Sequence, residues 1–176
     1  CALPILKNMI SMTRIYILIG LVFTALFTGC YSFKDVSIPP EVKTIRISYI
    51  ENKARLVNPQ LSPQLTDKLR QKVISQTNRT QVQGENADYD ISGYISDYSV
   101  TTTGISNQQA ASNRLNVSVH IIFKNRLDEK KNFEADVTRN FDFSASLSLP
   151  QAETQLNETI IKNLSDEIFN RIFSNW

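Results

Sequence analysis

The chain has 176 residues, with 19 basic and 17 acidic side chains, one histidine, two cysteines and 41% hydrophobic residues. That length suits one domain with a real core, and the near balance of charge excludes the single-sign field of a general nucleic-acid binder.

In chain order, the first feature is an apolar run from Ile15 to Phe27, preceded by Arg14 and closed by Thr28-Gly29-Cys30. A basic start, an apolar middle and small residues before the junction describe a secretory signal. A membrane anchor needs roughly 18 consecutive apolar residues, and this run falls short. The Gly-Cys junction resembles a bacterial lipobox, with Phe27 where Leu is usual. Residues 1–29 are therefore expected to be a signal peptide, and Cys30 the acylated first residue of the mature chain. Met9 and Met12 are both available starts, and a start at Met12 would leave residues 1–11 untranslated. Lys7 and Arg14 leave with the signal, so the remaining 17 basic residues meet 17 acidic ones. With Cys1 removed and Cys30 acylated, no disulfide is expected and stability must come from packing. A single acyl chain holds a protein to a membrane only marginally, so durable attachment implies at least two on Cys30. Residues 30–42 read as a lipidated tether and residues 43–176 as a single domain.

Within that domain, Lys43 to Ile50 alternates, with Ile45, Ile47 and Tyr49 on one side. This predicts a strand with one buried face. Ser62 is the expected N-cap of a helix with Pro63 in its first position, and Leu65, Leu69 and Val73 follow at intervals of four. Ala87, Tyr89, Ile91, Gly93 and Ile95 define a second strand, with Gly93 at a bulge or a close backbone approach. Leu115, Val117, Val119, Ile121 and Phe123 define a third. Phe133, Ala135 and Val137, continuing into Phe141 and Phe143, give a fourth, joined to the third by the turn from Asn125 to Lys130 as an antiparallel hairpin. Pro150 opens a last helix carrying Leu156, Ile160, Leu164, Ile168 and Ile172. The order β-α-β-β-β-α implies an α+β two-layer sandwich, a mostly antiparallel four-stranded sheet with two helices on one face.

Chemistry is sparse. His120, the single histidine, sits at an outward strand position with no second histidine or free cysteine to help it bind a metal. Asp88 and Asp90 share a strand face, an arrangement also expected of a solvated strand start. With no Gly-rich phosphate loop, zinc spacing or nucleophile–base signature, no enzyme and no cofactor are expected beyond the acyl chains on Cys30. Lys43, Arg46, Lys53 and Arg55 cluster around the first strand, where a lipid phosphate or lipid A head group would pair with them. Tyr94, Tyr98 and Val100 are assigned to the face opposite Ile91 and Ile95, which makes the two tyrosines candidate partner contacts. Residues 101–113 are uncharged and read as a projecting hairpin tip or a disordered loop. Gly104, Ala110 and Ala111 there would permit close approach of a partner, and Arg114 at its base would reach a partner or brace the loop.

Taken together, Gly29-Cys30-Tyr31-Ser32-Phe33, Ser37-Ile38-Pro39-Pro40 and Lys43-Thr44-Ile45 resemble the amino-terminal region of the lipopolysaccharide-assembly lipoprotein family LptE, in its Bacteroidetes-type branch. The resemblance continues through Asn58-Pro59-Gln60-Leu61-Ser62, Gly93-Tyr94-Ile95, Tyr98 and Ala110-Ala111-Ser112-Asn113-Arg114-Leu115, and ends on Phe141 and the helix closing at Trp176. It implies a noncatalytic outer-membrane lipoprotein that plugs the lumen of the β-barrel protein LptD and assists lipopolysaccharide assembly, with lipopolysaccharide and outer-membrane lipid as further partners. The competing expectations are a lipoprotein scaffolding a different envelope complex and a lipid-carrier module.

Overall fold

A mixed sheet carries two helices on one of its faces. The computed structural model describes residues 38–106 and 109–174, the side chains of 105–111 excepted. The signal segment, Cys30, residues 31–37 of the tether and Trp176 lie outside the described residues. The elements are β1 (Thr44–Ile47), β2 (Glu51–Asn52), α1 (Leu61–Thr77), β3 (Thr80–Gln81), β4 (Tyr89–Ser106), β5 (Gln109–Asn125), β6 (Phe133–Ser144) and α2 (Leu149–Phe173). The sheet order is β3-β1-β4-β5-β6, with β2 also paired to β4. This is the α+β sandwich expected, with two very short strands added to the four. β4, β5 and β6 form an antiparallel meander. β1 lies parallel to β4, which the intervening α1 allows, since a parallel pair needs a crossover connection.

The core lies between sheet and helices. Leu115, Val117, Val119, Ile121 and Phe123 of the central β5 are wholly buried, facing Leu65, Leu69 and Val73 of α1 and Ile160, Leu164, Ile168 and Ile172 of α2 in one cluster. Ile38 and Val42 join that cluster, so the packed domain takes in residues assigned above to the tether. α2 starts from Ser148, whose backbone N–H donates to Gln151 Oε1 at 2.9 Å, half of a capping box. α1 ends on Asn78, which adopts the left-handed conformation (φ 52°) that asparagine tolerates at a C-cap.

Three local expectations are corrected. β1 ends at Ile47: Ser48 N–H still makes a bond of the β1–β4 ladder, to Ile91 O at 2.9 Å, while Arg70 of α1 donates to the Ile47 carbonyl at 3.1 Å. The alternation breaks there: Ile50 turns inward, its N–H donating to Thr66 Oγ1, while Tyr49 is left half exposed. α1 begins at Leu61, not after Ser62, because Asn58 Oδ1 accepts from Gln60 N–H at 3.0 Å and closes the preceding turn. Ser62 is then buried inside the first turn, and Pro63 still occupies a position whose N–H would lack an intrahelical partner. The third correction, at Tyr98, concerns the candidate surface and is described with it.

Asp88 ties β1 to the start of β4. Its Oδ2 accepts from Lys43 N–H, Thr44 N–H and the Thr44 hydroxyl, each at 2.9 Å. The Lys43 N–H is the strongest influence holding this carboxyl below the usual carboxylate range, against the opposing effect of partial desolvation. A carboxyl whose pKa is depressed by folding stabilises the protein above its unfolded pKa of about 3.9 and loses that contribution as pH falls through the lower folded value. Asp88→Asn is expected to lower stability at neutral pH and to flatten the acid limb of a denaturation series below about pH 4. An unchanged acid limb in the variant would remove Asp88 from this role.

Candidate interaction surface

The two faces of the sheet differ in kind. One is filled by the helices, while over the other no described element packs, and its outward residues are largely polar. Cross-strand pairs order it. The Ser118 and Thr138 hydroxyls meet at 2.8 Å, and Asn116 Nδ2 donates to Thr101 Oγ1 at 3.3 Å. Arg114 donates from Nε and Nη2 to the two oxygens of Asp142, at 2.6 and 3.0 Å. Arg114 therefore ties β5 to β6.

His120 is the centre of a cluster that the sequence did not single out. Its Nδ1 lies 2.8 Å from Asp136 and its Nε2 3.3 Å from Glu134, both on β6. Its ring packs on Tyr94 with centroids 5.1 Å apart, and the Lys53 ammonium sits 4.6 Å above the Tyr94 ring. The hydrogen bond to Asp136 is the chief cause raising the His120 pKa; that to Glu134 adds to it and partial desolvation opposes it. Outward placement of His120 was legible from the alternation of β5. The pairing register that sets Asp136 opposite it was not.

The four basic candidates are strung along the β1–β2 margin and do not converge on a pocket. Lys43 is exposed ahead of β1, and Arg55 is exposed beyond β2. Arg46 faces Asp90 at 3.5 Å and Glu85 at 3.9 Å. The Arg46–Asp90 separation supplies coulombic attraction without a hydrogen bond, and Asp90 Oδ1 accepts none from another group. Asp90 thus balances Arg46, and with Asp88 bound to β1 the two carboxylates serve as structural partners. Lys53 lies 3.7 Å from Glu51. Immediately past Arg55 the chain exposes Leu56 (46%) and Val57 (61%), apolar residues that no strand or helix periodicity flags.

Tyr98 is not on the open face. An extra residue, Ser96, interrupts the register between Ile95↔Val119 and Asp97↔Ser118. This bulge reverses the alternation, so Tyr98 follows Ile95 onto the inner face and is 1% exposed. Its hydroxyl donates to Glu153 of α2 at 2.6 Å and accepts from Asn58 at 3.4 Å. Burial first, then the Glu153 carboxylate, pushes its pKa far up. Tyr94, before the bulge, does face outward. Residues 101–106 continue β4 and residues 109–113 begin β5, so most of the uncharged segment is a long hairpin. Gly104 lies in it, where a Cβ would meet Ser112 Oγ at 2.6 Å. Ala110 and Ala111 belong to β5, with side chains outside the described ones.

On the other side of the molecule a groove of about 770 Å³ runs between the helices, lined by Gln64, Lys68, Gln71, Lys72, Asn157 and Asp166 among others. Lys72 of α1 reaches Asp166 of α2 at 2.7 Å, and Asn157 donates to Gln64 at 2.7 Å, so the groove is cross-tied.

With this geometry in hand, comparison with known proteins gives three findings. The family model LptE, described as lipopolysaccharide-assembly, matches residues 42–172. No curated protein matches the chain. Among solved structures, the chain is similar to a minor lipoprotein from Acinetobacter baumannii, at 15% identity over 76% of this chain and 92% of that one, with a TM-score of 0.50. It is similar to rare lipoprotein B from Shewanella oneidensis at 13% identity, covering 75% and 92%, TM-score 0.50. It is also similar to an uncharacterized lipoprotein B from Nitrosomonas europaea at 15% identity, covering 83% and 88%, TM-score 0.50. At these identities the likeness speaks for the fold alone.

Proposed function

Because the chain belongs to the lipopolysaccharide-assembly family LptE, we propose that its folded domain sits in the lumen of the barrel protein LptD, plugging and supporting it. The family's work is noncatalytic, that of a lipid-anchored outer-membrane lipoprotein in lipopolysaccharide assembly. The observation that carries the lumen reading is the open sheet face. Long strands presenting Ser, Thr, Asn and paired charges suit the polar, hydrated inside of a barrel and would be costly against lipid.

Within that reading, Tyr94, Gly104, Ala110 and Ala111 are the proposed partner contacts, with Arg114 as a brace. Lys43, Arg46, Lys53 and Arg55 are the proposed lipopolysaccharide contacts, where cations meet phosphate and the neighbouring Leu56 and Val57 offer apolar surface to acyl chains. The motif order supports placement in the Bacteroidetes-type branch. Cys30 is the proposed lipidation site after removal of residues 1–29.

Purification of the intact lipoprotein from detergent-solubilised outer membrane tests the proposal. A stoichiometric β-barrel partner is expected, together with an acylated amino-terminal Cys30 by mass spectrometry. Recovery with a different envelope complex, or of the lipoprotein alone, would sink the barrel reading. An unmodified Cys30 inside a longer chain would sink the anchor.

A further inference from the structure

β6 is the last strand of the sheet, and among the described residues nothing pairs with its outer edge. The opposite margin ends in β3, two residues long, whereas β6 runs for twelve. Natural sheets shorten, bulge, cover or interrupt with proline an edge of this length, because its outward N–H and C=O groups template another strand. β6 is not shortened, bulged, interrupted by proline or covered by a described element; its protection is charge, with Glu134, Asp136 and Asp142 outward and Arg139 inward. Its register with β5 is unbroken from Phe123↔Phe133 to Ser112↔Ser144, and it contains no proline. Its inner-face side chains are also less enclosed than those one strand in. Ala135, Phe141 and Phe143 retain 8, 6 and 9% exposure, where Leu115, Val119 and Ile121 retain 0%. One more strand would close that rim.

We infer that β6 is the docking edge for an extended polypeptide segment with basic residues at alternate positions, added to the sheet as a further strand. Charge selects the occupant. On the open face the strand presents Glu134, Asp136 and Asp142, with side chains 63, 66 and 56% exposed although His120 and Arg114 of β5 already pair with them, and with the uncharged Thr138 and Asn140 between them. Directly opposed side chains on neighbouring strands lie about 4.5–5.5 Å apart at Cβ, so a lysine or arginine facing these carboxylates is favoured and an acidic residue is rejected. On the inner face Arg139, tied to Glu167 of α2, occupies the middle of the rim and favours a small or acidic residue opposite it.

The same pattern disfavours a second copy of this chain. The two antiparallel self-pairings with nearly complete overlap set Asp136 opposite Asp142 with Arg139 opposite itself, or else Glu134 opposite Asp142. In strand addition the backbone ladder supplies affinity and alternate side chains supply specificity. A closed barrel wall has no free edge to offer, so the added segment comes from a loop or a terminal extension. The inference rests on the β6 edge and stands apart from the identity of the barrel.

The test uses the intact lipoprotein in detergent with two synthetic peptides of one length, alternating threonine with lysine or threonine with glutamate. Saturating lysine peptide is expected to slow hydrogen exchange at outward β6 amides by more than about tenfold, leaving β3 unchanged. The glutamate peptide should have no effect, and Glu134→Lys, checked for folding by its melting curve, should weaken the protection by the lysine peptide. Equal slowing by both peptides, no slowing by either, or protection that grows with protein concentration alone would overturn the inference.

Discussion

Leu164→Ala is expected to cost about 2–5 kcal/mol of folding stability, the largest single-residue effect anticipated here, measured by chemical denaturation. Leu164 is wholly buried in α2, a helix of 25 residues whose inward positions Ile160, Leu164, Ile168 and Ile172 recur every four residues. Removing three carbons from such a site loses their transfer free energy and leaves a cavity that close-packed neighbours only partly fill. The helix packs against both α1 and β6, so the loss is felt on both sides of it. Ile74→Ala on α1 is the control: that side chain is 46% exposed, and its loss should stay within roughly 0.5 kcal/mol. If Leu164→Ala and Ile168→Ala both leave the denaturation midpoint unchanged, the stripe is a partner interface and the two-layer core is wrong.

That stripe was legible in the sequence because a long helix repeats its signal, and β5 was legible because its alternation runs unbroken for nine residues. What failed was local and nonperiodic. One inserted residue, Ser96, was enough to carry Tyr98 from the expected open face into the core, since a strand has a side-chain period of two. β1 left its ladder after Ser48, with Ile50 N–H diverted to Thr66 of α1, and Tyr49 was left half exposed. The start of α1 was misplaced because an Asn58 turn outcompeted Ser62 for the helix entry. The candidate site divides the same way. Outward positions such as Tyr94 and His120 could be read from alternation, but the Asp136–His120–Tyr94–Lys53 stack depends on register across strands distant in sequence.

Gly93→Ala tests that register from the inside. Replacing a strand glycine with alanine where the backbone permits it ordinarily stabilises by about 0.4–1 kcal/mol through the unfolded state. No described glycine has a positive φ, so backbone conformation alone would predict that gain at Gly93. The surroundings predict the reverse. A Cβ at this position would lie 2.3 Å from the carbonyl oxygen of His120 and 3.2 Å from Ile121 Cδ1. The carbonyl is backbone in the central strand and can move only by distorting the β4–β5 ladder, so overpacking should destabilise by about 1–3 kcal/mol. The displacement would fall on His120 itself, whose ring is held by Asp136 at 2.8 Å and Glu134 at 3.3 Å. The variant is therefore expected to lose stability and also to bring the His120 titration, followed by its ring proton resonances, back toward the ordinary histidine value. A local steric defect that spared the open face would lower stability and leave the titration in place, which would break the proposed link between Gly93 and the His120 cluster. A neutral or stabilised Gly93→Ala would contradict the close β4–β5 approach from which the prediction starts.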